Sequence, residues 1–191
     1  MRDEVFIRGK TPMTKAEVRA VSIDKLSIDG NSRRFLDVGA GTGSVALQVA
    51  RMFPHVSVTA IERSGEALAL IEQNRQQLLL ENVDIISAEA PIPLENTVFD
   101  AIFIGGSGGK LAEIIDWSHT LLKPGGQLVL NFILAENVLE AAACLEKGPW
   151  HEVEVIQLQV SKWHELGKGH YFKPQNPTFI IACQKERSGT A

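Results

Sequence analysis

Three glycines at alternate positions, Gly39, Gly41 and Gly43, follow the apolar run Phe35-Leu36-Asp37-Val38. A glycine turn between a strand and a helix lets a ligand come close to the backbone, while the free N–H groups of the helix start point at it. Dinucleotide-binding turns follow G-x-G-x-x-G, and Ser44 stands where their third glycine belongs. Glu62 lies about twenty residues further on, where a carboxylate can accept both hydroxyls of an unphosphorylated ribose. The pair excludes neither ligand class that uses such turns, but it disfavours a 2′-phosphorylated ribose. Glu89-Ala90, the cluster Gly105-Gly106-Ser107-Gly108-Gly109 and Asn131 close three later apolar runs. In open parallel sheets ligands sit outside the carboxyl ends of the strands, so these positions converge on one edge. Cys144 and Cys183 have neither CxxC spacing nor a histidine cluster, so no metal site is expected.

The elements that must hold these residues alternate between short β-type runs and helical patterns, an α/β signature. Phe35 to Val38 reads as a strand, and Val45, Val49, Met52 and Phe53 as the apolar face of a helix that stops at Pro54. Val56 to Ile61 is a second strand. Leu68, Ile71, Leu78 and Leu79 would line the next helix, with Ser64 as its N-cap. Val83 to Ser87 and Phe99 to Ile104 follow as strands, and Leu111, Ile114, Ile115 and Leu122 as the stripe of a fourth-to-fifth-strand helix. Lys123-Pro124-Gly125-Gly126 suits a type II turn before a fifth strand, Leu128 to Phe132. A helix over 135–147 comes next. Glu152 to Val160 and Thr178 to Cys183 are β-rich, separated by a loop of about 15 residues, long enough to suggest a functional role.

Leu36-Asp37-Val38-Gly39-Ala40-Gly41-Thr42-Gly43, Glu62 and Leu121-Leu122-Lys123-Pro124-Gly125-Gly126 together resemble the class I S-adenosylmethionine (SAM)-dependent methyltransferases. Within that group, Phe6-Ile7-Arg8-Gly9, Pro12-Met13-Thr14-Lys15, Gly105 to Lys110 and Asn176-Pro177 resemble the CbiT-type cobalt-precorrin C15-methyltransferases of cobalamin biosynthesis, which also decarboxylate an acetate side chain. The resemblance implies a Rossmann-like fold: a mostly parallel seven-stranded sheet with an antiparallel C-terminal strand and helices on both faces. It implies one domain over 1–191, with an N-terminal arm and helix (1–34), a cofactor-binding βα core (35–147) and a C-terminal substrate-side β region (148–191). SAM is the implied co-substrate. Its implied contacts are Thr14, Gly39, Ala40, Gly41, Thr42, Gly43 and Glu62, with Glu89 and Ala90 at the adenine. The family's Gly-Asp-Ala-Pro stands here as Ala88-Glu89-Ala90-Pro91, and Lys173-Pro174-Gln175 stands where an arginine is expected. A homotetramer is likewise implied.

Methyl transfer from a sulfonium requires nucleophile, methyl carbon and sulfur nearly in line, so catalysis can come from positioning two bound molecules without a protein nucleophile. A tetrapyrrole substrate with several carboxylates calls for cationic clamps. Two segments concentrate them: Arg2, Arg8, Lys10, Lys15 and Arg19, and Lys162, His164, Lys168, His170 and Lys173. Both are expected to border the substrate cleft. Arg8, Lys110, Asn131, His164 and His170 are the candidates for a direct role, though His164 and His170 also read as ordinary loop histidines. Trp163, Tyr171 and Phe172 read either as a stacking surface for the macrocycle or as an anchor packing the loop on the sheet.

Composition narrows the alternatives. A chain of 191 residues with 45% hydrophobic and 22% charged residues has the makeup of one folded domain. Neither a bilayer-spanning run nor a signal-peptide h-region is visible, and a cytoplasmic, non-membrane protein is the expectation. A net charge of −4 argues against a nucleic-acid binder. The rival functions are methyl transfer to tRNA or a protein carboxylate on the same fold, an NAD-dependent oxidoreductase, and a non-catalytic SAM-binding module.

Overall fold

The computed structural model describes residues 1–94 and 97–187. Five strands, β1 (Arg34–Val38), β2 (Ser57–Glu62), β3 (Val83–Ser87), β4 (Phe99–Ile104) and β5 (Leu122–Phe132), are interleaved with helices except between β3 and β4, where the described residues hold none. Helix α1 (Ala16–Lys25) precedes them, α2 (Ser44–Met52) and α3 (Gly65–Gln77) follow β1 and β2, and α4 (Leu111–Leu121) and α5 (Ala135–Lys147) flank β5. Four further strands complete the chain: β6 (Trp150–Leu158), β7 (Ser161–Leu166), β8 (Gly169–Pro174) and β9 (Thr178–Lys185). The main sheet has seven strands in the order β3-β2-β1-β4-β5-β9-β6. β1 to β5 pair in parallel, and β9 runs antiparallel to both β5 and β6. The expected seven-stranded, mostly parallel sheet is therefore present, as in class I methyltransferases.

Because side chains alternate across a strand, β1 feeds two cores. Leu36 and Val38 join Ile102, Ile104, Leu128 and Leu130 beneath α4 and α5. Phe35 joins Val58, Phe103, Val129 and the apolar faces of α1 and α2 on the other side. Asp37 shares the face of Phe35 and is buried there. The strand order reverses on either side of β1 and β4, and such a switch opens a crevice at their carboxyl ends.

Local chemistry sets the element ends. Ser64 Oγ accepts from Ala67 N–H at the start of α3, and Gly43, with φ of 74°, occupies the left-handed N-cap position of α2. α3 itself buries Ala67, Leu70, Ile71 and Asn74; of the expected stripe Ile71 is buried, while Leu68 and Leu78 are only half-buried. Leu79 is 86% exposed, beyond the helix end. An apolar-periodicity count passes over Asn74, which is buried because its amide is used elsewhere, and so rotates the face. Met52 is also exposed, at the last turn of α2.

Two further expectations are corrected. Leu122 belongs to β5, and Lys123-Pro124-Gly125-Gly126 is carried inside that strand as an irregularity opposite Phe99 to Ala101. Gly125 has the positive φ (75°) the turn required, yet pairing with β4 resumes on both sides. The expected loop after β6 is a β-hairpin: β7 and β8 pair antiparallel through a two-residue connection opened by Gly167. Every residue of β8 is exposed, as are all but Lys162 of β7. With no buried face the hairpin lacks the alternation by which strands are read. No helix among the described residues is long and apolar enough to cross a membrane.

Candidate active site

The turn after β1 is held by backbone contacts that only glycine permits. Gly39 has φ of 67°, and a Cβ there would stand 2.6 Å from the Gly106 carbonyl oxygen, so the turn presses directly on the loop after β4. The N–H groups of Gly39 and Ala40 both donate to the Ile61 carbonyl at 3.0 and 3.1 Å. This ties the turn to β2, at whose end stands Glu62.

Glu62 is fixed by three backbone donors. Gly41 N–H donates to Oε2 at 2.9 Å, and Arg63 and Ser64 N–H donate to Oε1 at 2.9 and 2.8 Å. A carboxylate has about four acceptor sites, so Oε2 retains capacity for a hydroxyl donor in the crevice. On β1, Asp37 Oδ2 accepts from Ala46 N–H at 3.0 Å, at the start of α2, while Oδ1 has no partner. Burial pushes the Asp37 carboxyl up to about 7; the Ala46 bond opposes the shift and the Glu62 charge adds to it. The Thr42 hydroxyl is also buried without a partner.

Two cavities meet at Gly39. The larger, about 420 Å³, runs under the arm residues Pro12 to Lys15, along Asp37 and the turn from Gly39 to Thr42, to Asn131 and Gln175-Asn176. The smaller, about 160 Å³, is bounded by Glu62, Arg63, Glu89, Ala90 and Ser107. Together they fit a SAM molecule: a carboxylate for the ribose in the small cavity, and in the large one an orphaned acidic oxygen and an orphaned hydroxyl for its charged amino-acid end. Cavities of this size are typical for such ligands. Among the described residues, no group of three or more His, Cys, Asp or Glu side chains is arranged to hold a metal.

Thr14, Gly39, Ala40, Gly41 and Thr42 line the large cavity, and Glu62, Glu89 and Ala90 the small one. Gly43 lines neither; its left-handed backbone shapes the turn against Ile71 of α3. Asn131 lines the large cavity, and its amide donates to Ser22 Oγ at 2.8 Å. Lys110 sits at the N-cap of α4, 3.5 Å from Glu89 Oε2, and Arg63 pairs with Glu89 Oε1 at 2.7 Å. Arg8 is exposed on the arm and borders neither cavity.

The second basic segment lies on the hairpin. Lys162 Nζ is 3.0 Å from Glu17 of α1, and neither His164 nor His170 reaches either cavity. His170 stacks on Trp163 with centroids 4.9 Å apart, and Phe172 meets Trp163 edge-on. Trp163 and Phe172 are 61% and 64% exposed, so neither anchors the hairpin on the sheet. Of the first basic segment only Lys15 lines the large cavity. Arg19, expected at the cleft, is instead wholly buried.

Sequence reasoning passed over Asp37 as a site residue, although an acid inside an apolar strand is its signal. It also missed Gln175, whose neutral amide carries none.

Residues 4–185 match a family model described as a precorrin methyltransferase domain. The chain is 49% identical over 189 residues to a cobalt-precorrin-6B C(15)-methyltransferase (decarboxylating) of Salmonella typhimurium, covering 98% of this chain and 97% of that one. Among solved structures it is similar to a precorrin-6y C5,15-methyltransferase from Geobacter metallireducens, with a TM-score of 0.90, 35% identity and 97% of each chain covered. It is also similar to a precorrin 8W decarboxylase from Methanobacterium thermoautotrophicum, with a TM-score of 0.84 and 34% identity, covering 95% of this chain and 98% of that one.

Proposed function

The chain belongs to the precorrin methyltransferase domain family, and on that premise we propose that it methylates C15 of cobalt-precorrin-6B with SAM and decarboxylates the C12 acetate side chain, a step of cobalamin biosynthesis. The observation that carries this reading is the pair of cavities meeting at Gly39, one presenting Glu62 and the other the unpartnered oxygens of Asp37 and Thr42. SAM supplies an electrophilic methyl group whose sulfonium becomes a thioether on transfer.

The protein's own residues bind and orient. Glu62 accepts a ribose hydroxyl, Glu89 and Ala90 border the adenine, and Thr14, Gly39, Ala40, Gly41 and Thr42 surround the amino-acid end. Gly43 contributes through the shape of the turn. Asp37 faces a positive charge there, which restores to its buried carboxylate the partner it lacks. The substrate carbon attacks the methyl group and loses its proton; carbon dioxide leaves the acetate and a proton takes its place, the conjugated macrocycle accepting the electron pair in between. Alignment of two bound molecules supplies the catalysis without a covalent protein intermediate.

Lys15 is the one lysine or arginine among the described residues lining the large cavity, and it meets a substrate carboxylate. Asn131, Gln175 and Asn176 line the same cavity and offer neutral hydrogen bonds, and a carboxylate held by neutral groups rather than by a cation is released more easily as carbon dioxide. Arg8, Lys110, His164 and His170 stand further out, where a large polycarboxylate extends. The reading includes a cytoplasmic homo-oligomer, a tetramer by resemblance, each subunit one domain with its C-terminal β region on the substrate side.

Anaerobic incubation with SAM and cobalt-precorrin-6B, followed by mass spectrometry, tests the proposal. Gain of one methyl with loss of one carbon dioxide is expected. An unchanged tetrapyrrole, beside an active homologue and with SAM bound, would turn the search to other methyl acceptors.

A further inference from the structure

Arg19 is a fully buried cation on α1 whose five N–H donors are all engaged. Nε donates to Gln48 Oε1 at 2.7 Å. Nη1 and Nη2 both reach Asp3 Oδ1 at 3.3 Å, Nη1 also donates to the Thr14 carbonyl, and Nη2 to the Met1 carbonyl at 2.9 Å. The guanidinium also lies 4.9 Å from the centre of the Phe6 ring. Apart from Gln48, every partner belongs to the arm preceding α1. One buried side chain thus gathers residues 1, 3, 6 and 14 at a single point.

Between these points the arm is tied to α3. Ile7 N–H donates to Asn74 Oδ1 at 2.7 Å, Asn74 Nδ2 donates to the Ile7 carbonyl at 3.0 Å, and Lys10 N–H donates to Glu66. The stretch so suspended passes over the glycine turn: a Cβ on Gly41 would stand 3.4 Å from the Pro12 carbonyl. Pro12 to Lys15 form a wall of the large cavity.

Burying a guanidinium is unfavourable unless all its donors are satisfied, and apolar residues of similar volume commonly replace such groups without loss of stability. An arginine here is understood if the geometry it imposes is needed. We propose that Arg19 is a positioning residue for cofactor binding: by holding the Thr14 carbonyl and the Asp3 carboxylate together, it fixes the wall from Pro12 to Lys15 against the turn from Gly39 to Thr42. This rests on the reading that the large cavity receives the amino-acid end of SAM.

Arg19→Lys and Asp3→Ala break the lock from its two sides, and Asp3→Asn keeps the acceptor while removing the charge. For each folded variant, SAM affinity is measured by calorimetry, KM and kcat by turnover, and exchange of the amides from Lys10 to Lys15 by mass spectrometry. The expected result is a rise in Kd and KM for SAM of about tenfold or more, with kcat at saturating SAM changed by less than about threefold. The amides from Lys10 to Lys15 should exchange faster, and Asp3→Asn should recover most of the loss. A merely structural arginine would lower the melting temperature and leave the SAM affinity of the folded fraction unchanged; a Kd within about twofold of the parent in Asp3→Ala would overturn the proposal even if Arg19→Lys does not fold. Failure of the parent protein itself to bind SAM would instead remove the cofactor reading, and this proposal with it.

Discussion

Gly41 N–H donates to Glu62 Oε2 at 2.9 Å, so the turn after β1 and the acid ending β2 form one rigid unit. The two other donors to that carboxylate come from Arg63 and Ser64 at the entry to α3. On the proposed reading, in which Glu62 accepts a ribose hydroxyl, the side chain is thereby oriented before the ligand arrives, which lowers the ordering cost of binding.

Glu62→Gln keeps an oxygen for two of these donors but turns an amide N–H₂ towards Gly41. Loss of a charged acceptor at a hydrogen-bonded position costs about 2–3 kcal/mol, a factor of roughly 30 or more in affinity. Calorimetric titration with SAM should read that loss with the folded circular-dichroism spectrum retained. Unchanged affinity would show that the ribose is bound elsewhere.

Gly39→Ala should be among the most destabilising substitutions in the chain. It combines a φ of 67° with a Cβ 2.6 to 2.9 Å from the backbone of Gly106; the turn cannot retreat without breaking its bonds to the Ile61 carbonyl, nor the loop after β4 without straining the bond from Gly105 N–H to the Val38 carbonyl. A loss of more than about 2 kcal/mol in urea unfolding is expected. By contrast Gly65→Ala, where a Cβ meets nothing within 4 Å, should change stability by no more than about 1 kcal/mol.

Asp37 gives stability a definite pH dependence. Burial raises its carboxyl from an ordinary 3.8 to about 7, so between those values the folded protein holds a proton that the unfolded chain releases. Stability therefore falls as pH rises through this window, by on the order of a few kcal/mol, and is flat in this respect above it. Asp37→Asn should abolish that part of the slope between pH 5 and 8 in urea titrations. It should also weaken SAM binding, since the amide cannot balance a cation. The linked expectation is proton release when SAM binds near pH 6.5, read as heats that vary with the ionisation enthalpy of the buffer. Heats independent of the buffer would disconnect Asp37 from the ligand.

Asn74→Ala removes both hydrogen bonds to Ile7 and leaves two backbone groups without partners. A stability loss of about 1–3 kcal/mol should accompany faster amide exchange at Ile7, with the core strands still protected. Uniform loss of protection throughout the molecule would mean that Asn74 serves the core rather than the arm.

The central part of the fold was legible because β1 to β5 are apolar runs, separated except at β3–β4 by helices with an apolar stripe, and Gly39 and Gly41 mark the turn after β1. Asn74 shows where that reading fails. A buried amide whose partner is 67 positions away counts as polar in any periodicity, so the buried face of α3 was placed wrongly. Arg19 fails for the same reason: its burial depends on Asp3, Thr14 and Gln48, which no spacing rule connects. The hairpin from Ser161 to Pro174 was missed because neither of its faces is covered, and strand patterns record burial rather than pairing. Gly39 to Thr42, Glu62, Glu89 and Ala90, which line the two cavities, could be singled out because they sit at strand ends, whereas Thr14, on the arm, was reached only through the family resemblance. Which of the remaining basic groups face the cleft depended on how the arm and hairpin fold back, information held in tertiary contacts.

β9 comes after β6 along the chain yet lies between β5 and β6 in the sheet. During synthesis β6 therefore leaves the ribosome with no neighbour to bond to, and it stays an unpaired strand until residues 178–185 have emerged and slid in beside β5. The nucleotide-binding half can assemble while translation continues, whereas the wall bearing Gln175 and Asn176 closes only when the final strand is in position. A nascent chain arrested before Thr178 should expose Ile156 and Leu158, which pack on the core in the finished fold, to chaperones, and a premature stop there removes two strands from the sheet rather than one.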